Sequence, residues 1–378
     1  MDIISAIAAI NALIIAFLLA TKKKKSISNT ILVAWILNFA FHFAVPFGIE
    51  RNLIFHESMW GFLMGIFVVT HAPFIFVYTS SLSNPGFKAD LKHLYHFAFI
   101  LLFVASFIPY LLLPPEERLE AVHQKENLSY YVLLPMLTLL FTRLYFLART
   151  FILIFKHQYN IKQTFSYEAK INLAWIKLIA FGFLGVIVLS FVLYGFVSAK
   201  IISVFWMDYI LIIANMLLFF YIAYSGYKQN TIQKDIIKAP QLTVQQNEVH
   251  AEKPTVKTSF EEEDSFHPDI TRLKDLMNQE KLYLDAELNI GNVANQLNIH
   301  VHQLSKLINT QLDKNFFEFV NEYRVEEFKK LVADPKNKHI SILGLAYDAG
   351  FNSKATFYRF FKNYTGLTPS EFKASYQF

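Results

Sequence analysis

Near the C-terminus, two short segments of the chain each place polar and basic side chains on one outward stripe of a predicted helix. Their small residues Ala294 and Ala346 lie 346 − 294 = 52 positions apart. Side chains of these types hydrogen-bond to phosphate oxygens and to the edges of bases. The candidate contact residues are His302, Gln303, Ser305, Lys306 and Asn309 upstream, and Lys354, Ala355, Tyr358, Arg359 and Lys362 downstream. The two stripes therefore predict two surfaces that read double-stranded DNA.

Each stripe requires a support helix, a tight turn and a second helix whose inner face packs against the first. The downstream segment, residues 341–362, has this pattern, with Ser353 as the expected N-cap and Gly366 as the expected stop. In the upstream segment, residues 289–309, apolar residues recur with the same helical period. The expected inner faces are Val301, Leu304, Leu307 and Ile308 upstream, and Phe357, Phe360, Phe361 and Tyr364 downstream. These spacings predict two helix-turn-helix units in tandem.

A single amphipathic helix is predicted over residues 315–332, between the two units, and it ends before Pro335. Asn315 and Glu318 have the spacing of a capping box. A rigid spacer of this kind would set two recognition helices into successive major-groove segments, roughly 34 Å apart on one face of a duplex. Further on, the sequence TPSE from Thr368 predicts another capping box and a short closing helix.

Residues 268–375 resemble the DNA-binding domain of the AraC/XylS family of bacterial transcription regulators. The resemblance is carried by residues 316–330 and by residues 341–372, SILGLAYDAGFNSKATFYRFFKNYTGLTPSEF. It implies sequence-specific DNA binding, with RNA polymerase as a further partner. It places the groove contacts at His302, Lys306, Lys354, Ala355 and Arg359. A helical protein-interaction module is the alternative that the pattern leaves open.

Charge is distributed unequally within this region. Residues 268–335 contain 8 Lys+Arg against 11 Asp+Glu, a net charge of −3, whereas residues 336–378 contain 6 against 2, a net charge of +4. Neutralisation of phosphates dominates non-specific affinity for DNA. We therefore expect the downstream unit to anchor the domain and the upstream unit to contribute discrimination.

The first 227 residues have the composition of a membrane protein. The chain has 378 residues, of which 54% are hydrophobic and 39 are Phe, and the apolar excess lies before residue 228. A helix of about 20 apolar residues crosses roughly 30 Å of hydrocarbon. Seven spans are predicted, over residues 3–21, 27–49, 59–82, 93–113, 129–155, 172–197 and 203–227. The expected fold class is all-α: a polytopic seven-helix membrane domain followed by a cytoplasmic double helix-turn-helix domain.

The positions of Lys and Arg predict the orientation of the spans, since positively charged loops remain cytoplasmic. With the N-terminus outside, the inside loops carry Lys22, Lys23, Lys24, Lys25, Lys88, Lys92, Lys156, Lys162 and Lys170. The outside loops carry Arg51, Arg118, Lys125 and Lys200. This asymmetry predicts a multi-pass protein of the inner membrane with a cytoplasmic DNA-binding domain. Because the basic cluster follows the first span, we expect a retained anchor rather than a secretory signal.

Three regions are expected, over residues 1–227, 228–267 and 268–378. They are a transmembrane sensor domain, a cytoplasmic linker and the DNA-binding domain, in that order. A flexible linker of this length would hold its ends roughly 35 Å apart. Ile232, Ile236 and Ile237 share one side if the seventh helix continues to Pro240. They would then form a homodimer contact, and a frayed helix end is the alternative.

Polar side chains inside membrane spans are costly enough to be candidates for function. Five of them lie near the middle of different predicted spans: Asn11, Asn38, His71, Arg143 and Asn215. If they face inward, they line a pocket for a small-molecule signal, and Arg143 would anchor an anionic ligand. The alternatives are helix packing through the asparagines and an arginine that extends to the cytoplasmic side.

No enzyme, metal site or cofactor is predicted. His42 and His71 lie in spans but have no Asp, Glu or Cys at ligand spacing. The sequence contains no cysteine, which excludes disulfides, thiolate catalysis and Cys-ligated zinc. The sequence also shows no paired intramembrane carboxylates, no Ser/His/Asp arrangement and no glycine-rich phosphate loop.

The sequence favours a one-component transmembrane regulator, in which the seven-helix domain senses a signal and biases the DNA-binding domain. The expected extracellular loops are too short to fold a separate ligand-binding domain, so the signal should enter among the helices. Two alternatives remain: a transporter with a regulatory DNA-binding tail, and a membrane-stored transcription factor released by proteolysis in the linker. Spans without Asp or Glu at mid-depth speak against the transporter.

Overall fold

The computed structural model describes residues 2–22, 26–50, 60–84, 86–88, 90–114, 117–118, 130–168, 171–229 and 268–376. Within these ranges the chain is helical, with an isolated bridge between Phe165 and Asn289 and no strand, so the expected all-α class is confirmed. Linker residues 230–267, including the three isoleucines of the expected homodimer contact, lie outside the described residues. The same is true of the loop cations Lys23, Lys24, Lys25, Arg51, Lys125 and Lys170.

The chain divides into two compact units. Unit 1 comprises Met1–Lys156 and Leu173–Gln233, and unit 2 comprises His157–Asn172 and Lys234–Phe378. The stretch His157–Asn172 thus groups with the C-terminal region. Its residues up to 171 are predicted as part of the loop between the fifth and sixth spans, and residue 172 as the start of the sixth span. We call this stretch the docking segment, and its residues 157–168 and 171–172 are described.

Seven helices that begin in unit 1 are long and apolar enough to cross a membrane, counted over the described ranges. They are α1 (Asp2–Ala20), α2 (Ile27–Glu50), α3 (Trp60–Ser83), α4 (Phe99–Leu111, after a 3₁₀ stretch at Leu91–Ala98), α5 (Tyr130–Thr164), α6 (Ala174–Ser198) and α7 (Val204–Gln229). Their number and order agree with the prediction. The main difference is that α5 continues to Thr164 instead of ending at residue 155. The residues after 155 are polar, so a hydropathy pattern does not detect this continuation.

Small residues allow the helices of unit 1 to pack closely. Ala8, Ala12 and Ala16 recur every four residues on one face of α1 and are buried. This spacing of small residues is typical of helix pairs in membranes. α7 approaches α2 in a similar way, because a Cβ at Gly226 would lie 2.5 Å from the side chain of Leu32.

The C-terminal part of unit 2 has two hydrophobic cores joined by one long helix, and the docking segment has a smaller cluster of its own, made by Ile161, Phe165, Tyr167 and Ile171. The helices after the linker are α8 (Pro268–Glu280), α9 (Ile290–Leu297), α10 (Val301–Leu312), α11 (Phe316–Ala333), α12 (Ile342–Asp348), α13 (Lys354–Thr365) and α14 (Pro369–Ala374). Phe316, Phe319 and Val320 of α11 belong to the core shared with α8, α9 and α10. Val325 and Phe328 of the same helix belong to the core shared with α12 and α13. α11 therefore fixes the spacing of the two cores, as the sequence predicts.

Side-chain caps define where these helices begin. Asn315 and Glu318 form the capping box of α11, and Thr368 and Glu371 form that of α14. Ser353 caps the start of α13. Each cap satisfies amides that the first turn of a helix otherwise leaves without a partner. All three predicted caps are thereby confirmed.

Candidate nucleic-acid interface

The downstream helix-turn-helix unit is built from α12 and α13. Gly350 lies in the turn between them with a φ of 94°, and a Cβ there would lie 2.2 Å from the carbonyl oxygen of Tyr283. Glycine is the residue that tolerates both this conformation and so close an approach. After the turn, the buried rings of Phe351 and Phe357 pack with centroids 5.0 Å apart. The turn and these rings fix the direction in which α13 leaves the core.

α13 presents four of its five predicted contact residues to solvent. The exposed residues are Lys354, Ala355, Arg359 and Lys362. The fifth, Tyr358, is half-buried and packs against the core of the unit. The ammonium nitrogen of Lys354 lies 5.7 Å from the centroid of its ring. The outer stripe of α13 thus presents the cations Lys354, Arg359 and Lys362 around the ring of Tyr358, which packs against the core.

The inner face of α13 is shorter than predicted. Phe357 and Phe361 are fully buried, as expected, and Phe360 is half-buried. The prediction for Tyr364 is wrong, because its side chain is 43% exposed. Its ring stacks on Phe360 with centroids 6.2 Å apart. α13 ends at Thr365, followed by the C-cap Gly366 with a φ of 79°, and its last turn extends past the core against which the earlier turns pack.

The upstream unit is built from α9 and α10, joined by a turn in which Asn298 adopts a left-handed conformation with a φ of 54°. Asparagine tolerates this conformation better than most residues. The predicted inner residues Leu304, Leu307 and Ile308 are buried, and Val301 is half-buried. The predicted contact residues form an exposed set, His302, Gln303 and Lys306, and a half-buried pair, Ser305 and Asn309.

The half-buried pair contacts the docking segment. The side-chain amide of Asn309 donates a hydrogen bond to Oε1 of Gln163 at 2.8 Å, and the Ser305 hydroxyl donates to the same oxygen at 3.5 Å. On the other recognition helix, the guanidinium of Arg359 forms an ion pair with the carboxylate of Glu168. One short stretch of the docking segment therefore contacts both helices that are predicted to read DNA.

Arg324 of α11 binds the centre of the docking segment. The buried guanidinium donates hydrogen bonds to the carbonyl oxygen and the hydroxyl of Ser166, both at 2.9 Å. Its other acceptors are the carbonyl oxygens of Tyr283 at 2.8 Å and Asp285 at 2.7 Å, and Oδ1 of Asn321 at 3.2 Å. All five N–H groups of the guanidinium thus have an acceptor. Burial lowers the pKa of Arg324 to about 9, although the charge of Asp285 acts in the opposite direction.

Further bonds fix the same part of the docking segment. The amide and the hydroxyl of Ser166 donate to the carbonyl oxygen of Leu288 at 3.1 and 2.7 Å, and the side-chain amide of Asn321 donates to the Ser166 carbonyl at 3.1 Å. Sequence reasoning missed these contacts because Leu288 lies 122 positions from Ser166. The sequence does contain one indication of these contacts. Arg324 lies four residues from both Val320 and Phe328, on the inner stripe of α11. A cation on a buried stripe needs acceptors from elsewhere in the chain.

Three of the five polar residues at mid-span lie in one cluster of unit 1. The side-chain amide of Asn38 lies 3.2 Å from Nδ1 of His71, which also accepts a hydrogen bond from the Trp35 indole at 3.2 Å. Nε2 of His71 lies 2.9 Å from Nδ1 of His42. Arg143 is within Coulombic range of both histidines. Its Nε is buried and has no hydrogen-bond partner within the part of the chain that the structure describes.

Asn11 and Asn215 are not part of this cluster. The side-chain amide of Asn11 donates to the carbonyl oxygen of Ile7 at 2.8 Å, and that of Asn215 donates to Leu211 at 2.7 Å. Each amide thus bonds to the preceding turn of its own helix. A separate cavity of about 320 Å³ in unit 1 is lined by apolar side chains together with Thr30, Asp90 and His93, and by none of the five mid-span residues.

Comparison with known proteins identifies the C-terminal region. Residues 293–375 match the family model of a helix-turn-helix domain. Over 92 residues the chain is 27% identical to the Msm operon regulatory protein of Streptococcus mutans serotype c, a stretch that covers 24% of this chain and 32% of that protein. The chain thus aligns with about a third of this curated relative, and no solved structure matches it. Residues 293–375 are an AraC/XylS-type helix-turn-helix domain, as the resemblance predicts.

Proposed function

We propose that this protein is a membrane-tethered, sequence-specific transcription regulator that couples a signal received by unit 1 to gene expression. The observation that carries the proposal is the presence, in one chain, of seven helices suited to crossing a membrane and of an AraC/XylS-type helix-turn-helix domain. The protein would reside in the inner membrane with its N-terminus outside. Its DNA-binding domain would lie in the cytoplasm, where double-stranded DNA and RNA polymerase are its partners.

The outer stripes of α10 and α13 are the proposed reading surfaces. Arg359 is suited to paired hydrogen bonds with a guanine edge, and Lys362, one turn further along, is suited to a phosphate. Both side chains are exposed, and the region from residue 336 onward carries a net charge of 6 − 2 = +4. α13 would therefore anchor the domain on the duplex. α10 would contribute discrimination through His302 and Lys306.

The proposed entry point of the signal is the polar cluster around His71. A guanidinium nitrogen that is buried without an acceptor costs free energy, so the Nε of Arg143 favours a ligand that supplies one. Asn38 and His42 lie in the same cluster, where both are within hydrogen-bond distance of His71. A small anionic molecule bound among the helices of unit 1 would supply the acceptor that the Arg143 Nε lacks. Its binding would then change the arrangement of the helices that surround it.

Genome-wide DNA occupancy of the full chain tests the proposal. Cells expressing a C-terminally tagged protein are separated into membrane and soluble fractions, and the DNA crosslinked to the tag is sequenced from each. We expect sequence-specific enrichment from the membrane fraction. A variant with both Lys306→Ala and Arg359→Ala, matched in abundance, should lose it. Enrichment found only with a shortened, soluble tagged fragment would show release by proteolysis, and no specific enrichment in either fraction would refute the proposal.

A further inference from the structure

We propose that the docking segment is an autoinhibitory element, which covers part of the DNA-reading surface of its own chain and is displaced when DNA binds. The inference rests on the proposed function, since it takes α10 and α13 as the helices that read DNA. It adds a second partner for that surface. The partner is a neutral and acidic stretch of the same polypeptide, from Gln163 to Glu168.

The contacts of this stretch fall on side chains that DNA would need. Gln163 takes hydrogen bonds from Ser305 and Asn309 of α10, and Glu168 pairs with Arg359 of α13. A guanidinium that pairs with a carboxylate cannot offer the same N–H groups to a guanine edge, and the carboxylate repels a nearby phosphate. Engagement of both recognition helices by a duplex therefore requires the stretch to leave.

The exposure of the ion pair indicates that DNA can initiate this exchange. The side chain of Arg359 is 59% exposed, whereas that of Glu168 is only 10% exposed. A phosphate or a base can thus approach Arg359 from solvent while Glu168 is still in place. Exposed cations on both sides, Lys354 and Lys362, would draw the duplex toward the same site.

The anchor of the segment is suited to reversible docking. Arg324 holds Ser166 through a carbonyl oxygen and a hydroxyl, and its other acceptors given by the described residues are neutral too. Removal of a cation from water opposes docking, and neutral acceptors offset this cost less than a carboxylate would. When the segment leaves, water can hydrate the guanidinium. Neutral acceptors around the buried cation therefore favour a docked state that DNA can displace.

The segment is also placed in the chain where a signal can act on it. It is flanked in sequence by Lys156 and Leu173, both of which belong to unit 1, and α5 continues into it as far as Thr164. A change in unit 1 that shifts the end of α5 acts directly on Gln163. We therefore infer that the signal controls how readily the segment leaves α10 and α13.

Removal of the acidic contact tests the proposal in the full chain. DNA affinity is measured for purified protein in detergent micelles, with a fluorescent duplex of random sequence as the probe, over a series of salt concentrations. Glu168→Gln should bind up to about tenfold more tightly than the unaltered chain, since the competent fraction of molecules increases. The control is Glu287→Gln, which removes the same charge from an exposed residue of unit 2. An affinity gain for Glu168→Gln no greater than that of the control would overturn the proposal.

A disulfide that locks the segment provides the second arm. The chain contains no cysteine, and Phe165 and Asn289 face each other in an antiparallel bridge. Such a pair has a Cα separation that a disulfide can span. The variant with Phe165→Cys and Asn289→Cys should bind the duplex at least about tenfold more weakly when oxidised than when reduced, because a covalent lock removes the competent state. Equal or tighter binding by the oxidised protein would show that the segment completes the reading surface, and would overturn the proposal.

The two arms separate failure of this inference from failure of the proposed function. If neither the unaltered chain nor any variant shows salt-dependent DNA binding, the proposed function fails and the inference fails with it. If all of them bind DNA with equal affinity, only the inference fails. If the reduced double-cysteine variant does not bind like the unaltered chain, the comparison of Glu168→Gln with Glu287→Gln decides the matter.

Discussion

The guanidinium of Arg324 and the backbone and hydroxyl of Ser166 are joined by two hydrogen bonds of 2.9 Å, although the two residues lie 158 positions apart. These bonds connect a stretch between two apolar helices to the helix that spans both helix-turn-helix cores. Arg324 also binds the carbonyl oxygens of Tyr283 and Asp285. One buried side chain thus holds together three parts of unit 2: the docking segment, the stretch from Tyr283 to Asp285, and α11. Its replacement should therefore affect the whole unit.

Arg324→Lys should lower the free energy of unfolding of unit 2 by about 2 to 4 kcal/mol, although the charge is retained. A lysine has three donors on one nitrogen and cannot reach acceptors on several sides, as the planar guanidinium does. Pulse proteolysis of the C-terminal region in the full chain measures the change. Lys330→Arg, at an exposed position of the same helix, is the control. Equal stability of the two variants would contradict the role given to Arg324.

Gly350→Ala should lower the free energy of unfolding of unit 2 by about 2 kcal/mol or more. Its φ of 94° disfavours any Cβ, and the carbonyl oxygen of Tyr283, 2.2 Å from the ideal Cβ position, belongs to the backbone and cannot turn aside. Asn298→Gly, in the corresponding turn of the upstream unit, should change the stability by less than about 1 kcal/mol, since glycine adopts the left-handed conformation readily. The same proteolysis assay compares the two variants. An equal free energy of unfolding for Gly350→Ala and Asn298→Gly would refute the argument.

Local features of the fold could be predicted from the sequence. The capping boxes at Asn315 and Thr368 and the N-cap at Ser353 each depend on residues three positions apart, and the structure contains all of them. The seven apolar helices likewise follow from composition over about 20 residues. The exposed position of Tyr364 was not predicted, because helical period alone does not tell where the supporting core ends.

The contacts of the docking segment could not be predicted in the same way. Gln163 and Asn309 are 146 positions apart, and Glu168 and Arg359 are further apart still. No local period relates such residues, and the stretch after residue 155 resembles an ordinary polar loop. The five mid-span polar residues show the same limit. Their depth could be estimated from the sequence, but which of them meet depends on how the helices turn toward one another. The structure places Asn38 against His71, with the charge of Arg143 nearby.

DNA reading by α13 predicts different losses for two neighbouring cations. If the guanidinium contacts a base, Arg359→Ala should weaken binding to a duplex selected for tight binding by about 1 to 3 kcal/mol relative to its effect on a scrambled duplex. Loss of the ion pair with Glu168 affects both duplexes alike and cancels in this difference. Lys362→Ala should weaken both duplexes equally and reduce the salt dependence by about one phosphate contact. Fluorescence titration of the full chain at several salt concentrations measures both. Equal losses on the two duplexes for Arg359→Ala would assign this residue to the backbone instead.

The distribution of loop cations predicts the topology. A reporter enzyme that is active only outside the cytoplasm should work when fused after Glu120, between the fourth and fifth predicted spans, and fail when fused after Lys162. The physical reason is that Lys-rich loops resist translocation. Immunoblots of both fusions verify equal abundance. The reverse pattern of activity would place the DNA-binding domain outside the cytoplasm and would remove the basis of the proposed function.

Signal entry at the cluster around His71 predicts the effect of Arg143→Gln. The buried Nε of Arg143 has no acceptor within the described residues, whereas Arg149 on the same helix donates to the hydroxyl of Tyr145 at 2.9 Å. If Arg143 binds an anionic signal, glutamine cannot replace its charge.

Arg143→Gln should then leave the protein inserted and abundant but hold target-gene output at one level under every inducing condition. Arg149→Gln should keep the response, which a transcriptional reporter measures together with immunoblots of the membrane fraction. A normal dose response in Arg143→Gln would remove Arg143 from the signalling mechanism, and loss of that variant from the membrane would show that Arg143 serves folding instead.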